Sequence, residues 1–310
     1  MSEFSHMPVL LHETVDALAV HPGGIYVDGT LGGGGHSSYL LGQLGKTGRL
    51  IGIDQDVEAI SAAKKRISED YDVFYINRNF SEIREIARAL SISQIDGAML
   101  DLGVSSHQLD EAERGFSYRF DAPLDMRMNR SRSFSAYDVV NGYSEERLAD
   151  VIFQYGEERM SRRIARRIVQ RREERPIETT GELVEVIREA TGAYAKDKHP
   201  AKRTFQAIRI EVNGELDVLQ TALTDFFDLL KPGGRLAVIT FHSLEDRMVK
   251  QKFQGLCTGC TCPPSFPVCV CGKKPAGRLV WKKAICAGEE ELARNPRAKS
   301  AKLRVIEKLP

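Results

Sequence analysis

The chain of 310 residues lacks an excess of either charge: 44 lysines and arginines stand against 43 aspartates and glutamates, a formal net charge of +1. Whole-chain charge therefore names no nucleic-acid partner, and any basic surface must come from local clustering that a balanced total conceals. Also absent is any run near the roughly 18 apolar residues of a membrane span. Met1 to Val20 carries Glu3, His6, His12, Glu13 and Asp16, so no apolar signal-peptide segment stands there. The expectation is a cytoplasmic protein with no membrane association. Neither an internal repeat nor a low-complexity tract is found, and 42% hydrophobic with 28% charged residues excludes a disordered or fibrous chain. Cysteine is scarce and uneven: of six, five lie between Cys257 and Cys271, and Cys286 stands apart. In a reducing compartment this pattern argues against a disulfide framework.

What is present first is alternation. Strand-like runs at Ile25–Asp28, Arg49–Asp54, Val73–Ile76 and Ile95–Leu102 are separated by helical patterns at His36–Leu44, Val57–Ser68 and Ser81–Leu90. In the second of these helices Val57, Ile60, Ala63 and Ile67 form the expected apolar face. Such spacing predicts a parallel, doubly wound α/β sheet. The pattern breaks after Ser105. Residues Gln108 to Phe134 are polar and irregular, and Ser144–Arg175 and Thr180–Thr191 read as helices with no strand between. Lys198 to Glu215 leads into a helix at Glu215–Leu230, then a Lys231-Pro-Gly-Gly234 turn and a buried strand at Arg235–Phe241. Leu279–Ile285 and Lys302–Glu307 read as a closing antiparallel hairpin. The expected organisation is a sheet domain over 1–106 and 201–310, interrupted by a helical insertion over 107–200, which the arginine cluster from Arg159 to Arg175 makes a candidate for RNA recognition.

Between the first strand and helix lies Asp28-Gly-Thr-Leu-Gly-Gly-Gly-Gly-His36. Glycines allow a sharp turn and a close ligand approach, and the following helix N-terminus presents free N–H groups. The dinucleotide fingerprint G-x-G-x-x-G fails at Ser37 and Ser38, and a phosphate-loop reading around Gly45-Lys-Thr47 fails at Leu40. Asp54 ends the second strand about twenty residues past the loop, where an acid hydrogen-bonds ribose hydroxyls. An acid ahead of the glycines, Asp28, suits a cationic ligand better than a pyrophosphate, and S-adenosylmethionine (SAM) meets both requirements. Asp28, Asp54, Phe80 and Asp101 all stand at carboxyl ends of strands, where ligands of open α/β sheets bind. The competing reading is a tight turn that Asp28 merely caps.

Two clusters are basic. Arg159 to Arg175 holds eight arginines against two glutamates, with Met160, Ile164 and Ile168 forming an apolar stripe. Arg294 to Lys308 holds six basic residues against Glu307. Arginine suits phosphate forks, so Arg162, Arg163, Arg166, Arg167, Arg297 and Lys299 are candidate RNA contacts, weighed against a solvated helix face. Phe116, Tyr118 and Phe120 could stack on a splayed base or form the insertion's own core. The thiols of Cys257, Cys260, Cys262, Cys269 and Cys271 have spacing that can make a tetrahedral zinc site, although C-x-C pairs are tighter than zinc ribbons prefer. An iron–sulfur cluster and metal-free thiols are the alternatives.

Seven motifs together are specific: Asp28 to His36, Asp101-Leu-Gly-Val-Ser-Ser106, Glu113-Arg-Gly-Phe-Ser117, Pro123-Leu-Asp-Met-Arg-Met128, His199-Pro-Ala-Lys-Arg-Thr-Phe-Gln206, Phe241-His-Ser-Leu-Glu-Asp-Arg247 and Asn295-Pro-Arg-Ala-Lys-Ser300. With them the chain resembles the MraW/RsmH family from about Met7 to Lys308. The resemblance implies a class I SAM-dependent methyltransferase, Rossmann-like with an antiparallel final strand and a helical insertion. It implies methylation of N4 of a cytidine in the decoding region of 16S rRNA, free or in the small ribosomal subunit. Implied cofactor contacts come from Gly34, Gly35, His36, Asp54, Phe80, Asp101 and Gln108, to which the loop reading adds Asp28 and Gly33. An Asp/Asn-Pro-Pro-aromatic loop, common in amino methyltransferases, is replaced here by Asp101-Leu-Gly-Val-Ser-Ser. Asp101 or the loop after it, with His242 or Ser243, is the expected surround of the target amine; the alternative is that Asp101 serves the cofactor alone. Rival readings are a SAM methyltransferase acting on DNA or protein, and a non-catalytic SAM-binding ribosome-assembly factor.

Overall fold

The computed structural model describes residues 8–192, 199–262 and 271–310. The chain divides into two units, Met1–Gly103 with Asp217–Pro310, and Val104–Leu216. The expectation ended the insertion at 200. In the structure the helix Lys202–Asn213 packs with the helical unit, which therefore runs on to Leu216.

In the first unit the elements before the insertion are α1 (Leu11–Ala17), β1 (Ile25–Asp28), α2 (Gly35–Leu44), β2 (Arg49–Asp54), α3 (Val57–Arg66), β3 (Asp72–Asn77), α4 (Ile83–Ala89) and β4 (Ile95–Asp101). The helical unit contains α5 (Ser106–Asp110), α6 (Ala136–Gly142), α7 (Glu145–Gly156), α8 (Ser161–Glu174), α9 (Thr180–Thr191) and α10 (Lys202–Asn213). After it come α11 (Glu215–Leu229), β5 (Leu230–Thr240), α12 (Ser243–Cys257), β6 (Gly277–Leu279), α13 (Glu289–Arg294) and β7 (Lys302–Lys308).

The seven strands form one sheet in the order β3-β2-β1-β4-β5-β7-β6. Strands β1 to β5 pair in parallel, while β7 runs antiparallel to both β5 and β6. Burial on both faces explains the unbroken apolar runs of β2, β4 and β5. One face packs Ile83, Leu223, Phe226 and Phe253 against the sheet, and the other packs Leu40, Leu44, Leu50 and Tyr26. The order reverses between β1 and β4, which opens a crevice at their carboxyl ends.

Several local expectations shift. Val57 is exposed at 62%, because α3 begins at it behind the Asp56 N-cap and buries Ala59, Ile60 and Ala63 instead. Ser81–Leu90 opens with a 3-10 turn at Phe80–Glu82, closed by an Asn79–Glu82 capping box. The Lys231–Gly234 turn is absorbed into β5 as a bulge: Leu230 pairs with Ile95 and Arg235 with Gly97, with Gly233 at φ +83° carrying the bend. The expected strand Leu279–Ile285 shrinks to Gly277–Leu279 plus a single bridge from Ile285 to Leu303, as Trp281, Lys282 and Lys283 turn to solvent.

The helical unit has its own core of Leu124, Met126, Val140, Leu148, Ile152, Ile164, Ile168, Leu183, Ile187 and Ile208. Helix α6, which falls between the irregular stretch and the first expected helix and had no assignment, forms because Ser135 and Asp138 close a capping box while Ala136, Val139 and Val140 are buried; seven residues are too few to display a helical period. Asn213 ties the core to its loops, accepting from the Met128 N–H at 2.9 Å and donating to the Met126 carbonyl at 2.8 Å.

Candidate cofactor and catalytic site

The glycine run is held from both sides of β1. The Gly29 N–H donates to the Met99 carbonyl of β4, and the Leu31 N–H donates to the Ile53 carbonyl of β2. A Cβ at Gly29 would lie 2.4 Å from Leu100 Cδ2, and one at Gly35 would lie 2.4 Å from Pro8 Cγ. Gly34 caps α2 at φ +74°, in the left-handed region where a side chain is strained. Gly33 is buried within the same turn. The glycines are thus required by the packing of the loop itself as well as suited to a ligand.

Four carboxyl groups gather around this loop. Asp28 is almost fully buried; its Oδ2 accepts from Ser37 Oγ at 2.7 Å and its Oδ1 from the Thr30 N–H at 3.1 Å. Burial pushes its carboxyl up to about 6 despite those bonds. Asp54 accepts from the Gly32 N–H at 2.8 Å and from the Asp56 N–H at 2.9 Å, joining the end of β2 to the glycine loop. Burial pushes it up to about 7, against the pull of both N–H donors. Asp101 ends β4, and its N–H donates to Thr30 Oγ1 at 2.6 Å. Its Oδ1 is buried with no hydrogen-bond partner among the described residues. Burial, then the nearby charges of Asp28 and Glu245, raise the Asp101 carboxyl well above the ordinary range. A buried acceptor left unbonded is costly unless something completes it.

Glu245 is the fourth, and sequence reasoning passed over it. It is buried on the first turn of α12, where its Oε2 accepts the N–H groups of Phe241 at 2.8 Å and His242 at 3.2 Å. It lay inside the quoted Phe241–Arg247 motif, and its position three residues after an N-cap was the available signal. Thr30 and Ser37, which fix Asp101 and Asp28, were likewise inside the quoted loop or just past it.

His242 lies beside this cluster. Its Nε2 is 3.1 Å from Glu245 Oε1, yet neither ring nitrogen is aligned for a hydrogen bond among the described residues. Ser243 is exposed at the start of α12. His36 is buried, with Nε2 donating to the Val9 carbonyl at 2.9 Å and Nδ1 3.9 Å from Asp101 Oδ2. That bond fixes the ring as a packing element that faces Asp101. Phe80 stands at the end of β3, half-buried, with its Cβ 3.3 Å from the place a Gly29 Cβ would take. The sheet unit therefore brings together Asp28, Gly33, Gly34, Gly35, His36, Asp54, Phe80, Asp101 and His242. Gln108, read as a cofactor contact, belongs to the helical unit, where its Oε1 accepts from the Ser105 N–H in the capping box of α5.

The arginines of α8 divide. Arg162 and Arg163 are exposed and have no ion pair among the described residues. Arg166 reaches Glu145 at 3.4 Å and Arg167 reaches Glu189 at 2.6 Å. Arg172 donates to the carbonyls of Val140 and Tyr143, and Arg175 pairs with Glu182. Much of the run thus ties α8 to its own unit. In the tail, Lys302 and Arg304 are tied to Asp246 at 3.0 and 2.7 Å, while Arg297 and Lys299 are exposed. Phe116 belongs to the helical core, Tyr118 stacks on His199 at 4.4 Å between centroids, and Phe120 is exposed at 48%.

Of the five clustered cysteines, the structure brings together Cys260, Cys262 and Cys271. Cys257 stands outside that group: it ends α12, is partly buried against the sheet core, and burial raises its thiol. Cys269 lies outside the described residues.

Among the described residues no helix is long and apolar enough to cross a membrane. The model of the MraW methylase family matches residues 3–309. A protein of Clostridium botulinum (strain Loch Maree / Type A3) named ribosomal RNA small subunit methyltransferase H is 58% identical over 308 residues, covering 99% of this chain and 100% of that protein. A protein of Brevibacillus brevis with the same name is 55% identical, covering 99% and 98%. A solved rRNA methylase from Streptococcus thermophilus is loosely similar, with 12% identity and a TM-score of 0.43 over 99% of this chain and all of that one. A doubly wound sheet with an antiparallel β7, a glycine loop flanked by acids and a whole-chain match converge on one assignment: the chain belongs to the MraW methylase family and is a methyltransferase.

Proposed function

We propose that this protein transfers the methyl group of SAM to N4 of a cytidine in the decoding region of 16S rRNA. The observation that carries the reading is Asp101, whose buried Oδ1 lacks a partner at the carboxyl end of β4, beside the glycine loop. The residues present fit SAM. Gly33 and Gly34 lead into the N-terminus of α2, which presents free N–H groups beside the acids, Gly35 opens that helix, and Asp54 stands where ribose hydroxyls bind. The field of Asp28 and Asp101 favours a cation there. SAM, when bound, supplies an electrophilic methyl on a positive sulfonium.

The exocyclic amine of cytosine is a weak nucleophile because its lone pair is delocalised into the ring. A site that activates it must accept its N–H bonds, hold it in line and then take a proton. Asp101 supplies an oxygen acceptor with no donor among the described residues, and its raised carboxyl is the more basic for it. Glu245 clamps the backbone of Phe241 and His242, so the His242 ring is positioned at the same edge. Ser243 stands next to it and is assigned a supporting role at the substrate edge. Exposed Arg162, Arg163, Arg297 and Lys299 are assigned to RNA phosphates, Arg166 and Arg167 to the same role once they leave Glu145 and Glu189.

The test offers labelled SAM with unmethylated small subunits, naked 16S rRNA, DNA and protein fractions. Label at cytidine N4 in 16S rRNA or the subunit, lost in Asp101→Ala while SAM affinity is largely kept, supports the reading. Label on DNA or protein, SAM binding without transfer to any acceptor, or normal Asp101→Ala turnover at saturating SAM overturns it.

A further inference from the structure

The three thiols beyond α12 have no part in the methyl-transfer site. Cys260 Sγ and Cys271 Sγ lie 3.7 Å apart, and Cys262 Sγ completes a group whose members all fall within 4.8 Å of one another. A disulfide requires about 2.05 Å between sulfurs. Tetrahedral zinc with bonds of about 2.3 Å requires ligand sulfurs about 3.8 Å apart. The 3.7 Å separation therefore matches a coordination edge and not a covalent bond.

Local backbone supports the same chemistry. The Cys262 N–H points to Cys260 Sγ at 3.4 Å, so a donor already faces a sulfur that a bound ion would leave negatively charged. Gly272, directly after Cys271, sits at φ +61°, a turn that a side chain would resist. The base of the excursion is pinned: the Ala276 N–H donates to the Leu256 carbonyl at 2.8 Å, and Pro275 comes close enough to contact a Cβ placed on Gly259. Soft thiolates at this geometry select zinc over the hard cations magnesium and calcium.

We propose that Cys260, Cys262 and Cys271 bind one zinc ion through three thiolates, with Cys257 outside the site. The ion joins 260–262 to 271 and so closes the base of this excursion independently of SAM and RNA. Three protein thiolates leave one position of a tetrahedron for a further donor.

The test measures zinc by elemental analysis in full-length protein purified under reducing conditions without metal-chelate chromatography. About one ion per chain is expected in the natural protein and in Cys257→Ser and Cys286→Ser, and near none in Cys260→Ser or Cys271→Ser. To separate loss of metal from misfolding of a serine variant, the natural protein is also loaded with cobalt, where thiolate charge-transfer bands and tetrahedral d–d bands are expected, and are displaced by zinc. Absence of metal from fully reduced protein that also gives no cobalt bands, a Cys260–Cys271 disulfide in the native protein by mass spectrometry, or loss of zinc in Cys257→Ser alone overturns the proposal.

Discussion

Charge is handled in opposite ways by the two units. Around the glycine loop the sheet unit buries carboxyl groups of one sign with few cations to meet them, and leaves Asp101 Oδ1 unbonded. On α8 the helical unit displays its arginines at the surface, and half of them already hold a carboxylate or a carbonyl of the same unit. A buried, uncompensated group is costly to keep and therefore points to a ligand. An exposed charge run is cheap to keep, so each arginine must be discounted by its own partner before it counts toward RNA.

The sharpest way to break this contrast is Asp101→Asn. It keeps shape and removes the basic oxygen, so turnover at saturating SAM should fall by about 100-fold or more, with a far smaller change in SAM affinity. Equal losses in both would move Asp101 to the cofactor side and leave the amine without its acceptor.

A second test uses pH. Asp28 at about 6 and Asp54 at about 7 lie above the ordinary aspartate value of 3.8, so between those limits the folded chain binds more protons than the unfolded chain. Stability of the ligand-free protein should therefore fall as pH rises through that window, the contribution of these two groups being lost about one pH unit above 7. SAM affinity should move the other way, strengthening up to about tenfold per pH unit for each proton that must leave before the cation binds. Calorimetry of SAM binding across the window checks it; a flat profile would detach these carboxyls from the cofactor.

On the helical side, Asn213→Ala should cost about 1–3 kcal/mol, since it strands the buried Met128 N–H and Met126 carbonyl. Urea unfolding monitored in the helical unit reads this directly. The smallest effect is expected from α8. Replacing Arg162 and Arg163 by alanine should lower the salt-dependence slope of RNA binding by about 1.4 on single-stranded sites. The same change at Arg166 and Arg167 should lower it less, because their partners Glu145 and Glu189 already neutralise them. Equal slopes from both pairs would erase the distinction between free and tied arginines.

The strands were legible because buried parallel strands read as apolar runs: β1 and β2 match the expected limits at Ile25–Asp28 and Arg49–Asp54. Helix α9 was equally plain, capped by Thr179 and Glu182. Helix α6 escaped because capping, not periodicity, sets it. The insertion was expected to end at 200, whereas the helical unit runs to Leu216, because α10 starts only at Lys202 and its membership is set by packing that the sequence does not display. At the site, Asp28, Asp54 and Asp101 could be seen as acids at strand ends. Glu245 could not, since its importance comes from burial beside Asp101, a relation between residues far apart in sequence. Cys257 reads in sequence as one of five clustered thiols, but α12 ends at it and packs it against the sheet core.

The position of β7 has a consequence for how the chain acquires its form. This strand, Lys302–Lys308, lies between β5 and β6 and pairs along six residues of β5, from Arg235 to Thr240. Strand β5 in turn joins β4 across the whole helical unit. Contacts at such sequence separation form late, because long loop closures must precede them. The helices of the insertion, built on near neighbours, can order first. The acid-lined crevice at β1 and β4 lies apart from this last strand, so a protein halted before residue 302 would hold its glycine loop and its aspartates on a sheet with an unpaired β5 edge open to aggregation.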